Sequence, residues 1–404
     1  MKKIKRMSDI ASARIERLPP YLFGKINDIK LKKRQAGIDI IDLGMGNPDI
    51  GAPPHVVEEL QESASKKKNH RYSASAGIFN LRRAVADRYR NHFDVTLSPE
   101  DEIITTIGSK EGISHMSLAL LGPGDTALVP SPAFPIHIYS VVLAGGNVIT
   151  FPLDSDLDQF LRSLHHLADT LYPKPKVLFL NFPHNPTTMV VEKPFLKEMV
   201  RFARTRGILI IHDFAYADIV YDGYVSPSIL SIPGAKDVCV EFTTMSKTYG
   251  MAGFRVGFCA GNKYMIQALA KIKGYYDYGN FQSIQIASIV ALRGDQDCVK
   301  KTVEIYQRRR DVLVEGLNKG GWKIEKPKAT MFVWAPIPEE FRKISPMDLT
   351  LKLLEEAEVA VAPGIGFGED GRYFLRIALV ENENRIRQAI RQINRTLRNK
   401  PATK

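Results

Sequence analysis

A chain of 404 residues, 44% hydrophobic and 25% charged, has the composition of an ordinary globular protein and room for two lobes. No run of roughly 18 apolar residues suggests a membrane span, and the basic segment 1–8 lacks the apolar core of a secretory signal, so a cytoplasmic protein is expected. The net charge of +12 is spread along the chain, which suits a field that attracts anionic metabolites and argues against nucleic-acid binding.

From about residue 102 to 274, short apolar runs alternate with helical patterns. Strands are expected at 103–107, 127–129, 148–151, 177–180, 208–212, 238–243 and 256–259. Helices are expected at 109–121, 135–144 and about 195–205. Strands that are apolar throughout predict an α/β fold, a mainly parallel sheet covered on both faces, with any ligand along one edge. After 274 the pattern changes to a long helix over 283–316, a strand at 331–335, a helix at 347–357 and a strand at 374–378. A final amphipathic helix over 385–398 has Ile386, Ile390, Ile393 and Leu397 in register. This reads as a smaller α+β lobe. The expected division is an N-terminal segment 1–50 joining the small lobe or a partner subunit, a large domain 51–282, and a small domain with its linking helix, 283–404. The three cysteines, Cys239, Cys259 and Cys298, lack metal-ligand spacing and read as reduced thiols.

The strongest chemical signal is Thr243-Thr244-Met245-Ser246-Lys247-Thr248-Tyr249-Gly250, with Arg255 eight residues beyond the lysine. A lysine that attacks carbonyls must be partly unprotonated in a dry pocket, so the end of a strand suits it. The hydroxyls of Thr244 and Ser246 and the Arg255 guanidinium suit a phosphate monoester. A surface Lys-Thr turn with an unrelated arginine is the plain alternative. Asp213 ends an apolar strand, with Tyr216 three residues on; it could cap a turn or pair with a pyridinium nitrogen. Asn185 follows another apolar run, in a turn or facing a phenolic oxygen. Gly108-Ser109-Lys110 opens a helix whose free N–H groups form an anion site or simply a cap. Gly44-Met45-Gly46-Asn47-Pro48 lacks the third glycine of a dinucleotide fingerprint and has a proline where a helix should open. His137 and the pair His165-His166 lack metal-ligand company and read as structural; no metal site is expected. Arg376, inside an apolar strand, needs an anionic partner, either an internal carboxylate or that of a substrate.

Together, Asn185, Asp213, Tyr216, Lys247, Arg255 and Arg376 resemble, in order and spacing, the fold-type I, class I/II aminotransferases that use pyridoxal 5′-phosphate (PLP). The resemblance spans nearly the whole chain. Stretches such as Gly44-Met45-Gly46-Asn47-Pro48-Asp49, His212-Asp213-Phe214-Ala215-Tyr216 and Tyr275-Tyr276-Asp277-Tyr278-Gly279 are similar to the bacterial glutamate–pyruvate (alanine) aminotransferase group, relatives of LL-diaminopimelate aminotransferase.

The resemblance implies that Lys247 condenses with the cofactor aldehyde and later shuttles the substrate Cα proton. Asp213 would partner the pyridinium nitrogen, and Asn185 and Tyr216 the phenolic oxygen. Ser109, Lys110, Thr244 or Ser246, and Arg255 would surround the phosphate. Phe134 takes the place of the stacking aromatic, often tyrosine in relatives, and so lacks that hydroxyl. Arg376 would bind the α-carboxylate, with Gly46 and Asn185 beside it. Tyr72 matches a residue lent to the neighbouring subunit's phosphate, which implies a homodimer. The substrates would be an L-amino acid, alanine by resemblance, and a 2-oxo acid, handled by ping-pong kinetics. A diaminopimelate donor, a β-lyase on the same scaffold and a non-catalytic sensor domain are the competing readings.

Overall fold

Leu178 and Leu180 pack into one apolar cluster, while Val177 and Phe179 pack into another on the opposite side. A period of two with both faces covered explains why this run is apolar throughout. The computed structural model describes residues 10–20, 22–153 and 156–398; the basic segment 1–8 and Tyr21 lie outside them. In chain order the first strands are β1 Ile41–Asp42, β2 Ile103–Thr106, β3 Thr126–Ser131 and β4 Asn147–Pro152. They are followed by β5 Pro175–Asn181, β6 Leu209–Asp213, β7 Cys239–Thr244 and β8 Gly257–Gly261.

Among the described residues, seven of these strands form one sheet in the order β2-β8-β7-β6-β5-β3-β4. Only β8 runs against the others, pairing antiparallel with both β2 and β7. The remaining six therefore end on the same edge. β2 leads into Ser109, β3 into Phe134, β5 into Asn185, β6 ends on Asp213, and β7 leads into Lys247. An α/β sheet of this kind binds ligands outside its carboxyl ends.

The later strands, β9 Phe332–Pro336, β10 Val359–Ala360, β11 Ala362–Pro363 and β12 Phe374–Ala378, build a second lobe. Its antiparallel sheet runs β11-β12-β9. β1 pairs with β10, and Ile41 and Leu43 enter the same core as Leu313, Ile377 and Ile386. The helix Glu383–Arg398 buries Ile386, Ala389, Ile390 and Ile393 against that core.

The long helix expected over 283–316 is instead two helices, Gln282–Arg293 and Asp297–Lys319. Gly294 turns to an extended ψ of -179°, and Asp295 Oδ1 then accepts the Asp297 N–H at 2.9 Å. The break has a packing consequence. Ala287 and Ala291 enter the core beside the large sheet, whereas Leu313 and Val314 enter the other. The structure also adds the helices Pro54–Ser65, Phe79–Phe93, Leu157–Thr170 and Lys263–Tyr276. Among the described residues no helix is long and apolar enough to cross a membrane.

One buried charge ties the large sheet together. Glu241 on β7 is fully buried and accepts hydrogen bonds from Tyr89 Oη (2.9 Å), Ser228 Oγ (2.9 Å) and the Ile229 N–H (3.0 Å). His212 Nδ1 lies 3.0 Å from the same carboxylate, while its Nε2 accepts the Phe182 N–H at 3.3 Å. The second contact leaves the ring proton on Nδ1, so His212 is a further donor. Glu241→Leu should strand these donors and lower the unfolding free energy by about 3 kcal/mol or more in guanidinium titrations. Glu241→Gln, which keeps an acceptor, should lose less.

Candidate active site

The carboxyl edge of the large sheet and the second lobe enclose a cleft of about 830 Å³. Lys247, Asp213, Tyr216, Asn185, Arg376, Gly46 and Phe134 line it, as do Ser109, Lys110, Thr244, Ser246 and Arg255. Tyr72 does not: it is 85% exposed, and its ring lies 4.7 Å from that of Tyr278, away from the cleft of its own chain.

Lys247 owes its position to a one-turn helix. β7 ends at Thr244, whose hydroxyl accepts the Ser246 N–H at 3.2 Å and caps Met245–Thr248. Within this turn Lys247 Nζ donates to the Gly46 carbonyl at 3.0 Å. Loss of solvent in the cleft, then the positive charges of Arg376 and Arg255, pull its pKa down to about 8, against the opposing charge of Asp213. An appreciable fraction of the amine is then neutral near physiological pH, as a nucleophile or base requires. A Cβ at Gly46 would come 2.6 Å from the Phe332 ring, so a side chain cannot enter there without moving Phe332.

Asp213 is held at both oxygens. Oδ1 accepts the Ala215 N–H at 3.2 Å, and Oδ2 lies 3.0 Å from His137 Nε2. Asn181 braces the same floor: its amide donates to the Asp213 carbonyl at 2.7 Å and its oxygen accepts the Asn185 N–H at 2.9 Å. His137 was expected to be structural, yet it contacts Asp213 directly and stacks on Phe179 with centroids 6.0 Å apart. The available signal was its place three residues after Phe134 on the helix Pro135–Ala144, where i and i+3 share a face. Burial, reinforced by His137, pushes His184 down to about 3 and keeps it neutral.

The opposite end is an anion cradle. Gly108 has φ +76°, and a Cβ there would lie 2.4 Å from Arg255 Nη2. Glycine thus serves both the left-handed turn and the close approach of the guanidinium. Arg255 Nη1 donates to the Ala252 carbonyl at 3.0 Å and Nη2 to the Ile107 carbonyl at 3.4 Å. Thr244 Oγ1 and Ser246 Oγ are 2.9 Å apart beside the helix start at Ser109. Two hydroxyls, a guanidinium, Lys110 and a helix N-terminus match the donors a phosphate monoester accepts. With an amine and a carboxylate further along the cleft, these residues fit PLP.

Arg376 closes the site from β12. It is 5% exposed, donating to Asn185 Oδ1 at 2.9 Å and to the Gly44 carbonyl at 3.1 Å. Its guanidinium carbon lies 4.1 Å from the Phe332 ring centroid and 4.6 Å from that of Phe367. Tyr216 meets Phe332 edge-on at 5.7 Å, and burial raises its phenol pKa.

The profile of aminotransferase class I and II matches residues 38–393. The chain belongs to this family. It is thus a PLP-dependent aminotransferase by family. The aminotransferase is 52% identical over 385 residues to the glutamate–pyruvate aminotransferase AlaC of Escherichia coli, covering 95% of this chain and 93% of that one. It is 44% identical to LL-diaminopimelate aminotransferase of Moorella thermoacetica, over 95% and 97% of the two chains. Among solved structures, substrate-bound BacF from Bacillus subtilis superposes with a TM-score of 0.89 at 33% identity, covering 98% and 99%.

In the cofactor-free aminotransferase, trinitrophenylation of Lys247 followed by peptide mapping should rise with pH around a midpoint near 8. Arg376→Met should move that midpoint upward, because removing a nearby positive charge favours the ammonium. A midpoint at the ordinary lysine value of about 10.4 in both proteins would refute this electrostatic account.

Proposed function

We propose that this aminotransferase exchanges an amino group between L-alanine and 2-oxoglutarate, with PLP bound through Lys247. The observation that carries the reading is the convergence of Lys247, Asp213 and Arg376 in one cleft whose far end is an anion cradle. The 52% identity to glutamate–pyruvate aminotransferase supports alanine as the donor.

PLP, when bound, supplies an electrophilic aldehyde and a conjugated sink for electrons released at the substrate Cα. Asp213, oriented by His137 and the Ala215 N–H, would keep the pyridine nitrogen protonated. Asn185 and Tyr216 would meet the phenolic oxygen, and Phe134 the ring face. Ser109, Lys110, Thr244, Ser246 and Arg255 would hold the phosphate. Arg376 would grip the substrate carboxylate and, with Asn185 and Gly46 alongside, orient the Cα–H bond toward Lys247. The Lys247 amine would take that proton from Cα as base and then, as acid, deliver it to the carbon that had been the cofactor aldehyde. Tyr72, exposed in its own chain, would complete the phosphate site of a second subunit in a homodimer.

Alanine and 2-oxoglutarate should yield pyruvate and glutamate in equal amounts. Pyruvate with free ammonia would indicate a lyase instead. The 44% identity to a diaminopimelate enzyme makes LL-diaminopimelate the second donor to screen. Lys247→Ala should cut turnover by roughly 10³-fold or more, and Asp213→Asn by about 10²-fold with cofactor retained. Normal turnover in Lys247→Ala would overturn its assignment. For Arg376→Lys, KM for every amino donor should rise about 10- to 100-fold, since lysine lacks the planar fork. An unchanged KM would make Arg376 structural.

A further inference from the structure

Behind the anion cradle lies a buried ammonium that the reaction does not use. Lys273, in the last turn of the helix Lys263–Tyr276, has a fully buried side chain. Its Nζ lies 3.1 Å from Glu111 Oε1 and 3.2 and 3.0 Å from the two oxygens of Asp277. His115 Nδ1 approaches Glu111 Oε1 at 2.5 Å. By distance Glu111, His115 and Asp277 could hold a metal ion, but the Lys273 ammonium already contacts both carboxylates.

Each carboxylate accepts a backbone N–H from a turn that also contacts Arg255. Glu111 Oε2 accepts the Ile107 N–H at 2.7 Å, and the Ile107 carbonyl on the other side of that residue accepts Arg255 Nη2. Asp277 Oδ1 accepts the Gly279 N–H at 2.6 Å, and the next residue, Asn280, donates to the Arg255 carbonyl at 2.6 Å. Ser75 donates to the Asp277 carbonyl at 3.2 Å, tying in the loop that presents Tyr72. Burial opposes the charge on Glu111, yet His115, Lys273 and the Ile107 N–H hold its carboxyl below the usual range. Without the ammonium, two partly buried carboxylates would face each other across these turns.

We propose that Lys273 is a positioning residue for phosphate binding: its ammonium clamps the Ile107–Ser109 turn and the Asp277–Asn280 turn together and so sets the spacing between Ser109 and Arg255. This rests on the reading of the cradle as the PLP phosphate site. The test compares PLP with pyridoxal, which lacks the phosphate, by absorbance titration of the cofactor-free full-length protein. Lys273→Met should raise the Kd for PLP at least tenfold and that for pyridoxal less than twofold. Equal weakening of both ligands, or of neither, would overturn the proposal. A wild-type protein that binds the two ligands equally would remove the cradle reading and the proposal with it, a result distinct from failure of the variant alone. If Lys273→Met does not fold, as judged by circular dichroism, Glu111→Gln decides. It keeps an acceptor for Ile107 but drops the charge facing Lys273, and should raise the Kd for PLP at least threefold while sparing pyridoxal; no selective change sinks the idea.

Discussion

The site depends on one constraint: six parallel strands of one sheet must end on one edge. The apolar side chains of the sheet are committed to two cores, and the buried Glu241 and His212 within it bond to each other. Polar groups that face a ligand can collect only where the strands stop. Asp213, Asn185, Ser109 and the Lys247 turn are therefore neighbours because of strand direction, although up to 138 residues separate them in sequence (247 minus 109).

Electrostatics within that edge follow from the same crowding. Arg376 and Arg255 lie close enough to Lys247 to depress its pKa, while Asp213 pulls the other way. The groups suited to grip the substrate carboxylate and the cofactor phosphate thus also help to keep the amine reactive. This coupling does not need a dedicated residue. It needs only that positive groups stand at both ends of a cleft with the lysine between them.

The second lobe contributes Arg376, Phe332 and Phe367 to the cleft. Arg376 on β12 spans to Asn185 of the large lobe, and its other contact is the Gly44 carbonyl, just after β1. Because β1 pairs with β10, the N-terminal segment is anchored to the second lobe and brings Gly46 to the lysine. Arg376 thereby sits at the junction of three chain segments.

The sequence by itself determined the fold class and singled out many of the polar residues that line the cleft. The β–α alternation follows from local periodicity, and the Lys247, Asp213, Asn185 and Arg255 signals sit in short stretches whose residue types match their chemistry. It also left Arg376 open between two kinds of partner. Only the tertiary structure decided the rest. His137 became an Asp213 ligand because a helix from one crossover lies against the end of another strand. The helix expected over 283–316 divides at Gly294, and the far part of its second half, Leu313 and Val314, enters a different core from Ala287 and Ala291. Lys273 and Glu111 meet across 162 residues, and Arg376 and Asn185 across 191. Such contacts leave no trace in local pattern, since chain folding brings together groups whose own neighbours in sequence say nothing of each other.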